Sequence, residues 1–111
     1  MRVAIIGSRS LEINEIEDYL PQKCTEIVSG GAVGVDRCAA EFAIKNKLKL
    51  REFLPEYDKY GRAAPILRNQ RIVEYADMVI AFWDGKSKGT LSVIKYCKKI
   101  GKECSVINIT K

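Results

Sequence analysis

The chain has 111 residues, 47% apolar and 30% charged, which fits one domain that can bury a core and leaves no length for a second. No apolar run nears the ~18 residues of a membrane span, and four scattered cysteines without a histidine lack the paired spacing of zinc ligands. A soluble, cytoplasmic protein is expected, with reduced thiols, no metal, no cofactor and no membrane partner. The formal charge of +5 attracts anions, yet the lysines are spread along the chain and form no basic and aromatic stripe.

In chain order, Val3 to Ile6 is a β-branched run closed by Gly7. It ends in Gly-Ser and not in a small-residue cleavage site, so it reads as a first strand and not as a signal peptide. Ile13, Ile16 and Leu20 then recur at helical spacing up to Pro21, which predicts a first helix. Glu26-Ile27-Val28 is a second strand. After it, Val35, Cys38, Ala39, Phe42 and Ala43 mark one face of a second helix. Leu48 to Leu54 reads as a third strand ending at Pro55, Glu56 to Gly61 as a loop, and Ala63 to Tyr75 as a helix. Met78 to Phe82 is a continuous apolar run, as a central parallel strand covered on both faces requires. A last helix carries Ile94, Cys97 and Gly101 on one stripe, and a last strand lies near Cys104 to Ile109. Strands alternating with helices predict an α/β fold over residues 1–111. The expected form is a Rossmann-like three-layer sandwich with a five-stranded parallel sheet in the order 3-2-1-4-5.

In such a sheet, ligands bind at the carboxyl ends of the strands, where the strand order reverses. The first strand ends in Gly7-Ser8-Arg9-Ser10, the second in Ser29 to Gly34, and the fourth in Asp84 to Thr90. All three loops consist largely of Gly, Ser, Thr and basic residues. That composition suits an anion, because glycine lets backbone N–H groups approach phosphate oxygens and the following helix N-terminus adds partial positive charge. Neither a Walker loop nor a G-x-G-x-x-G fingerprint is present. For each glycine taken alone, the alternative is a tight turn with no ligand.

Read together, GSRS (residues 7–10), SGGAVGVD (29–36) and YGRAAPILRNQRIVEYADMVIAFWDGKSKGT (60–90) resemble the SLOG superfamily. That group joins DprA/Smf DNA-processing proteins, LOG phosphoribohydrolases and small stand-alone Rossmann-like proteins. The resemblance covers nearly the whole chain and is nearest to the stand-alone members. It implies a nucleotide site at the carboxyl edge of the sheet. By position, Gly7, Ser8 and Arg9 correspond to first-loop contacts and Gly30, Gly31 and Gly34 to second-loop contacts, while Ser87, Gly89 and Thr90 correspond to the phosphate-holding PGGxGT segment of LOG enzymes. Here Asp84-Gly85-Lys86 replaces the Pro-Gly-Gly start. LOG enzymes also carry a glutamate three residues after the threonine, where this chain has Val93. An aliphatic side chain cannot support an oxocarbenium centre, leaving Glu41, Glu74 and Asp77 as stand-ins.

Other residues stay open between two roles. Asp36 either accepts ribose hydroxyls or complements a helix dipole. Arg68 and Asn69 meet a phosphate and a base edge, or form a solvated helix face. Arg62 is poorly placed for a helix start and fits a ligand better. Trp83 stacks on a base or packs on a helix, and Tyr57 and Tyr60 form a lid or a linker. The expected function is non-catalytic binding or sensing of a small phosphorylated nucleotide or nucleotide derivative. The alternatives are a LOG-like nucleotide N-glycosidase and, third, DprA-like binding of single-stranded DNA. A homodimer is the expected assembly.

Overall fold

Two six-residue strands with continuous apolar cores set the architecture. In a computed structural model that describes residues 1–109, β1 (Arg2–Gly7) and β4 (Met78–Trp83) lie side by side, with Val3 opposite Met78 and Gly7 opposite Phe82. Their residues are buried on both faces, as their continuous apolar runs require. β2 (Glu26–Ser29) and β3 (Lys49–Glu52) extend the sheet on one side and β5 (Cys104–Asn108) on the other, all parallel, in the order β3-β2-β1-β4-β5. The edge strand β3 is short and carries Lys49, Arg51 and Glu52 on exposed positions, which discourages pairing with another chain.

Helices cover both faces, so the expected Rossmann-like α/β sandwich is the fold. They are α1 (Val35–Lys45), a single turn α2 (Tyr57–Tyr60), α3 (Ala64–Tyr75) and α4 (Lys88–Ile100). Val3, Ile5, Ile27, Ile80 and Phe82 pack against Val35, Ala39 and Ala43 of α1. On the opposite face Ala4, Val28, Val79 and Ala81 pack against Ile72 and Val73 of α3 and Val93, Ile94 and Cys97 of α4. Each large side chain buried here contributes about 1.5–3 kcal/mol relative to exposure. Phe82, fully buried, also receives the edge of the Tyr19 ring at 5.1 Å.

The first predicted helix does not form. Between β1 and β2 the described chain holds one 3₁₀ turn, Ile16–Asp18. The segment is short, Pro21 disfavours helical backbone at Leu20, and Glu17 and Asp18 would place negative charge at a helix C-terminus. Leu11, Ile13 and Ile16 are nevertheless buried on the α1 face, so the apolar spacing reports burial and not helix. Conversely, α2 occupies part of the segment read as a loop, and a 3₁₀ turn, Gly61–Ala63, precedes α3. Pro65 sits in the first turn of α3, where its missing N–H costs no hydrogen bond. No helix among the described residues is long and apolar enough to cross a membrane.

Candidate functional site

Strand order reverses between β1 and β4, and a cleft of about 430 Å³ opens there at the carboxyl edge of the sheet. This lies within the usual size of a small-molecule site, about 300–1,000 Å³. Gly7, Ser8 and Arg9 line it from the loop after β1. Asp36 enters from α1, and Arg68 and Asn69 from α3. Ser87, Gly89 and Thr90 complete it from the start of α4. Nine of the predicted site residues thus meet in one cleft, contributed by four separate stretches of chain.

The start of α4 leaves part of the wall open, with Gly89 exposed. Ser87 caps the helix, its Oγ accepting the Thr90 N–H at 3.3 Å and lying 3.2 Å from Thr90 Oγ1. The N–H groups of Lys88 and Gly89 have no partner among the described residues, as the first turn of a helix leaves them. A Cβ on Gly89 would meet no protein atom within 4 Å. No packing constraint therefore requires glycine at this position.

Asp84, the first residue of the third loop and not among the expected ligand contacts, sits beside that helix start. Its Oδ1 accepts the N–H groups of Lys86 and Ser87, both at 2.8 Å, and its Oδ2 accepts the Ser10 hydroxyl at 3.4 Å. The Lys86 and Ser87 amides hold its carboxyl below the ordinary range, so it stays ionised. Its own N–H donates to Ser8 Oγ at 3.3 Å, which joins the first loop to the third. The signal in the sequence was an aspartate three residues before a serine N-cap, directly after a buried strand. Ile6, Pro65, Ile72 and Val93 supply an apolar part of the lining.

Asp36 and Arg68 are buried differently from their expected roles. Asp36 Oδ2 accepts the Ala32 N–H at 3.2 Å, and burial pushes its carboxyl up despite that bond and the neighbouring Arg68. Arg68 donates through Nη1 to the carbonyls of Gly30 at 2.5 Å and Phe53 at 3.4 Å, and through Nε to Asn69 Oδ1 at 2.8 Å. Burial lowers its pKa and Asp36 opposes that shift. Two of its three nitrogens are therefore tied to the chain itself, with Gly30 of the second glycine loop among the partners, and only Nη2 is without a hydrogen bond among the described residues.

Gly30, Gly31 and Gly34 do not line the cleft. A Cβ on Gly30 would stand 2.8 Å from Arg68 Nη1, and one on Gly34, at φ +77°, would stand 2.5 Å from the Arg9 carbonyl oxygen. A Cβ on Gly31 would strike Leu54. The second loop is glycine-rich because the chain itself packs against it. Arg62 is exposed in the 3₁₀ turn before α3 and does not line the cleft, nor do exposed Tyr57 and Tyr60. The Trp83 indole donates to the Ser87 carbonyl at 3.0 Å and the ring packs on the α3 and α4 core.

The carboxylates named as stand-ins for the missing glutamate are engaged elsewhere. Glu41 pairs with Arg37 at 3.1 Å, Glu74 accepts the Tyr96 hydroxyl, and Asp77 accepts the Arg2 N–H at 2.7 Å. The positive charge is also less even than it first reads. Residues 85–102 hold six lysines and no acidic residue, more than the chain's whole net charge of +5. Comparison of the chain with protein-family models, with curated proteins and with solved structures gave no match.

Proposed function

We propose that the cleft between β1 and β4 binds a small phosphorylated nucleotide or nucleotide derivative without transforming it, as the likeness to the SLOG superfamily implies. One observation carries the reading: the uncommitted N–H groups of Lys88 and Gly89 stand at a helix start that forms the cleft wall, with open space at Gly89. A phosphate there gains the helix dipole, the Thr90 hydroxyl and the charge of Arg9. Asp84 Oδ2 and Ser10 are placed to meet sugar hydroxyls, and Ile6, Ile72 and Val93 offer an apolar wall to a base.

Thermal unfolding against phosphate, AMP, ADP, ATP, GTP, NAD, ADP-ribose, a cyclic dinucleotide and a short single-stranded oligonucleotide tests this. A native-state ligand at 100 times its Kd adds about 2.7 kcal/mol of stability. At least one nucleotide should raise the midpoint, and Thr90→Val or Arg9→Ala should abolish the rise. Absence of any small-ligand shift, beside a salt-sensitive shift with the oligonucleotide, would overturn the proposal in favour of a polyanion on the lysine-rich α4.

A second reading is favoured by the two aspartates. Both line the cleft: burial raises the Asp36 carboxyl above its ordinary value, and the Lys86 and Ser87 amides lower that of Asp84. Opposite environments of this kind mark acid and base partners in glycoside hydrolysis. Release of free base from a nucleoside monophosphate, lost in Asp84→Asn, would establish that reading, and no turnover across the panel would remove it.

A further inference from the structure

Away from the cleft, one pair of side chains carries chemistry of its own. Cys97 lies in the last turns of α4 with no exposed surface, and Cys104 opens β5 partly exposed. Between them the chain reverses at Gly101, φ 74°, and the Lys102 N–H returns to the Cys97 carbonyl at 2.9 Å. This turn brings both side chains into the same core cluster, Cys97 as a buried member and Cys104 packed against it, where the two thiols influence each other's titration. Both are free thiols.

The partners are unequal. Contact with Cys104 and burial push the Cys97 thiol up. Contact with Cys97 and the nearby Lys98 ammonium bring the Cys104 thiol down despite burial. Cys104 is also the member with exposed surface, so an oxidant in solution reaches it first, and the buried Cys97 sits behind it. The other two cysteines are occupied with backbone: Cys24 donates to the Glu26 carbonyl at 3.7 Å, and Cys38 accepts the Ile13 N–H at 3.4 Å.

We propose that Cys97 and Cys104 form a peroxide-oxidised dithiol site, with Cys104 as the attacking residue and Cys97 as the resolving one. The Cys104 sulfur attacks one oxygen of hydrogen peroxide and the O–O bond breaks. Hydroxide leaves and is protonated to water, and Cys104 becomes a sulfenic acid. The Cys97 sulfur then attacks the Cys104 sulfur, the S–O bond breaks, and the departing hydroxyl takes the Cys97 proton as a second water. In total, two thiols surrender two electrons and two protons to peroxide and become one disulfide. The bond ties the end of α4 to the start of β5.

The test is mass spectrometry of the full chain after hydrogen peroxide at near-stoichiometric dose, followed by alkylation of the remaining thiols. The expected product has a Cys97–Cys104 cross-link reversed by dithiothreitol, with Cys24 and Cys38 alkylated as in the untreated protein. Cys97→Ala should lose the cross-link and accumulate a dimedone-reactive sulfenic acid on Cys104. Cys104→Ser, at a partly exposed position, should leave Cys97 unoxidised at the same dose. Equal oxidation of all four cysteines, a cross-link at another pair, or a Cys104 no more reactive than Cys24 would overturn the proposal.

Discussion

Replacing Gly34 with alanine puts a methyl group 2.5 Å from the Arg9 carbonyl oxygen and 2.7 Å from the Arg9 carbonyl carbon and Cα. These are backbone atoms, so no rotamer change relieves the collision. The backbone there, φ 77° and ψ −127°, is also one that side chains disfavour, at about 1–3 kcal/mol. Forced overpacking adds about 1–3 kcal/mol. The loss of about 2–6 kcal/mol is a large part of the about 5–15 kcal/mol that stabilises a domain. With a urea slope of about 1–3 kcal/mol per molar, the unfolding midpoint should fall by about 1 M or more. Gly89→Ala is the matched control, because its methyl meets no protein atom within 4 Å and alanine favours a helix by about 0.5–1 kcal/mol. That variant should unfold at higher urea and bind nucleotide more weakly, since the methyl enters the cleft. A Gly34→Ala protein within about 0.5 kcal/mol of the parent would refute self-packing as the reason for this glycine. A Gly89→Ala protein that binds unchanged would remove the start of α4 from the ligand's contacts.

Arg68→Ala should destabilise the ligand-free protein by about 2–4 kcal/mol in urea titration, because hydrogen bonds from a charged donor contribute about 1.5–3 kcal/mol each. Arg68→Lys should not restore it, since one ammonium cannot span the Gly30 and Phe53 carbonyls and Asn69 together. A parent-like Arg68→Ala would show that this arginine is held for a ligand and not for the loop. For Asp36 the folded carboxyl lies above its ordinary value of 3.8 through burial. The folded state therefore holds the extra proton between those two values, and stability falls as pH rises through that window. Asp36→Asn should flatten this part of the urea midpoint against pH, and an unchanged slope would count against the burial. Asp84 has the opposite sign: its stabilisation is present above 3.8 and is lost as pH falls through the lower folded value. Asp84→Asn should weaken that acid limb, and an acid limb identical to the parent's would contradict the bonds drawn to Lys86 and Ser87.

The parts of the fold legible in the sequence were those where one physical demand dominates. Val3 to Ile6 and Met78 to Phe82 are apolar without interruption because both faces of β1 and β4 are covered, and no other element of this length shows that pattern. The alternation of strand and helix then led to the strand order. Ile13, Ile16 and Leu20 misled because burial against α1 and helical periodicity ask for the same spacing, while Pro21 and the acidic end decide the backbone. Asp84 reads in the sequence only as a loop residue replacing a proline, because its role depends on two amides that point at it only after the turn has folded. Arg62 stood at a helix start in the sequence, but the helix begins two residues later and leaves it exposed in the preceding turn.

The second glycine loop shows where a one-letter reading stops. A glycine that admits a phosphate and a glycine that admits the chain's own backbone are the same residue in sequence, and only their neighbours separate them. Here the neighbours are Arg68 at Gly30, Leu54 at Gly31 and the Arg9 backbone at Gly34. The loop borders the cleft directly through Ala32, and its glycines bear on it at one remove. By closing over Arg68 it holds the guanidinium beside Asp36, and by letting the Arg9 backbone press against Gly34 it fixes where the first loop stands relative to α1. Displacing that contact must move Arg9, whose side chain borders the same cleft as Thr90. A glycine outside the cleft lining can therefore govern the geometry of the residues that form it.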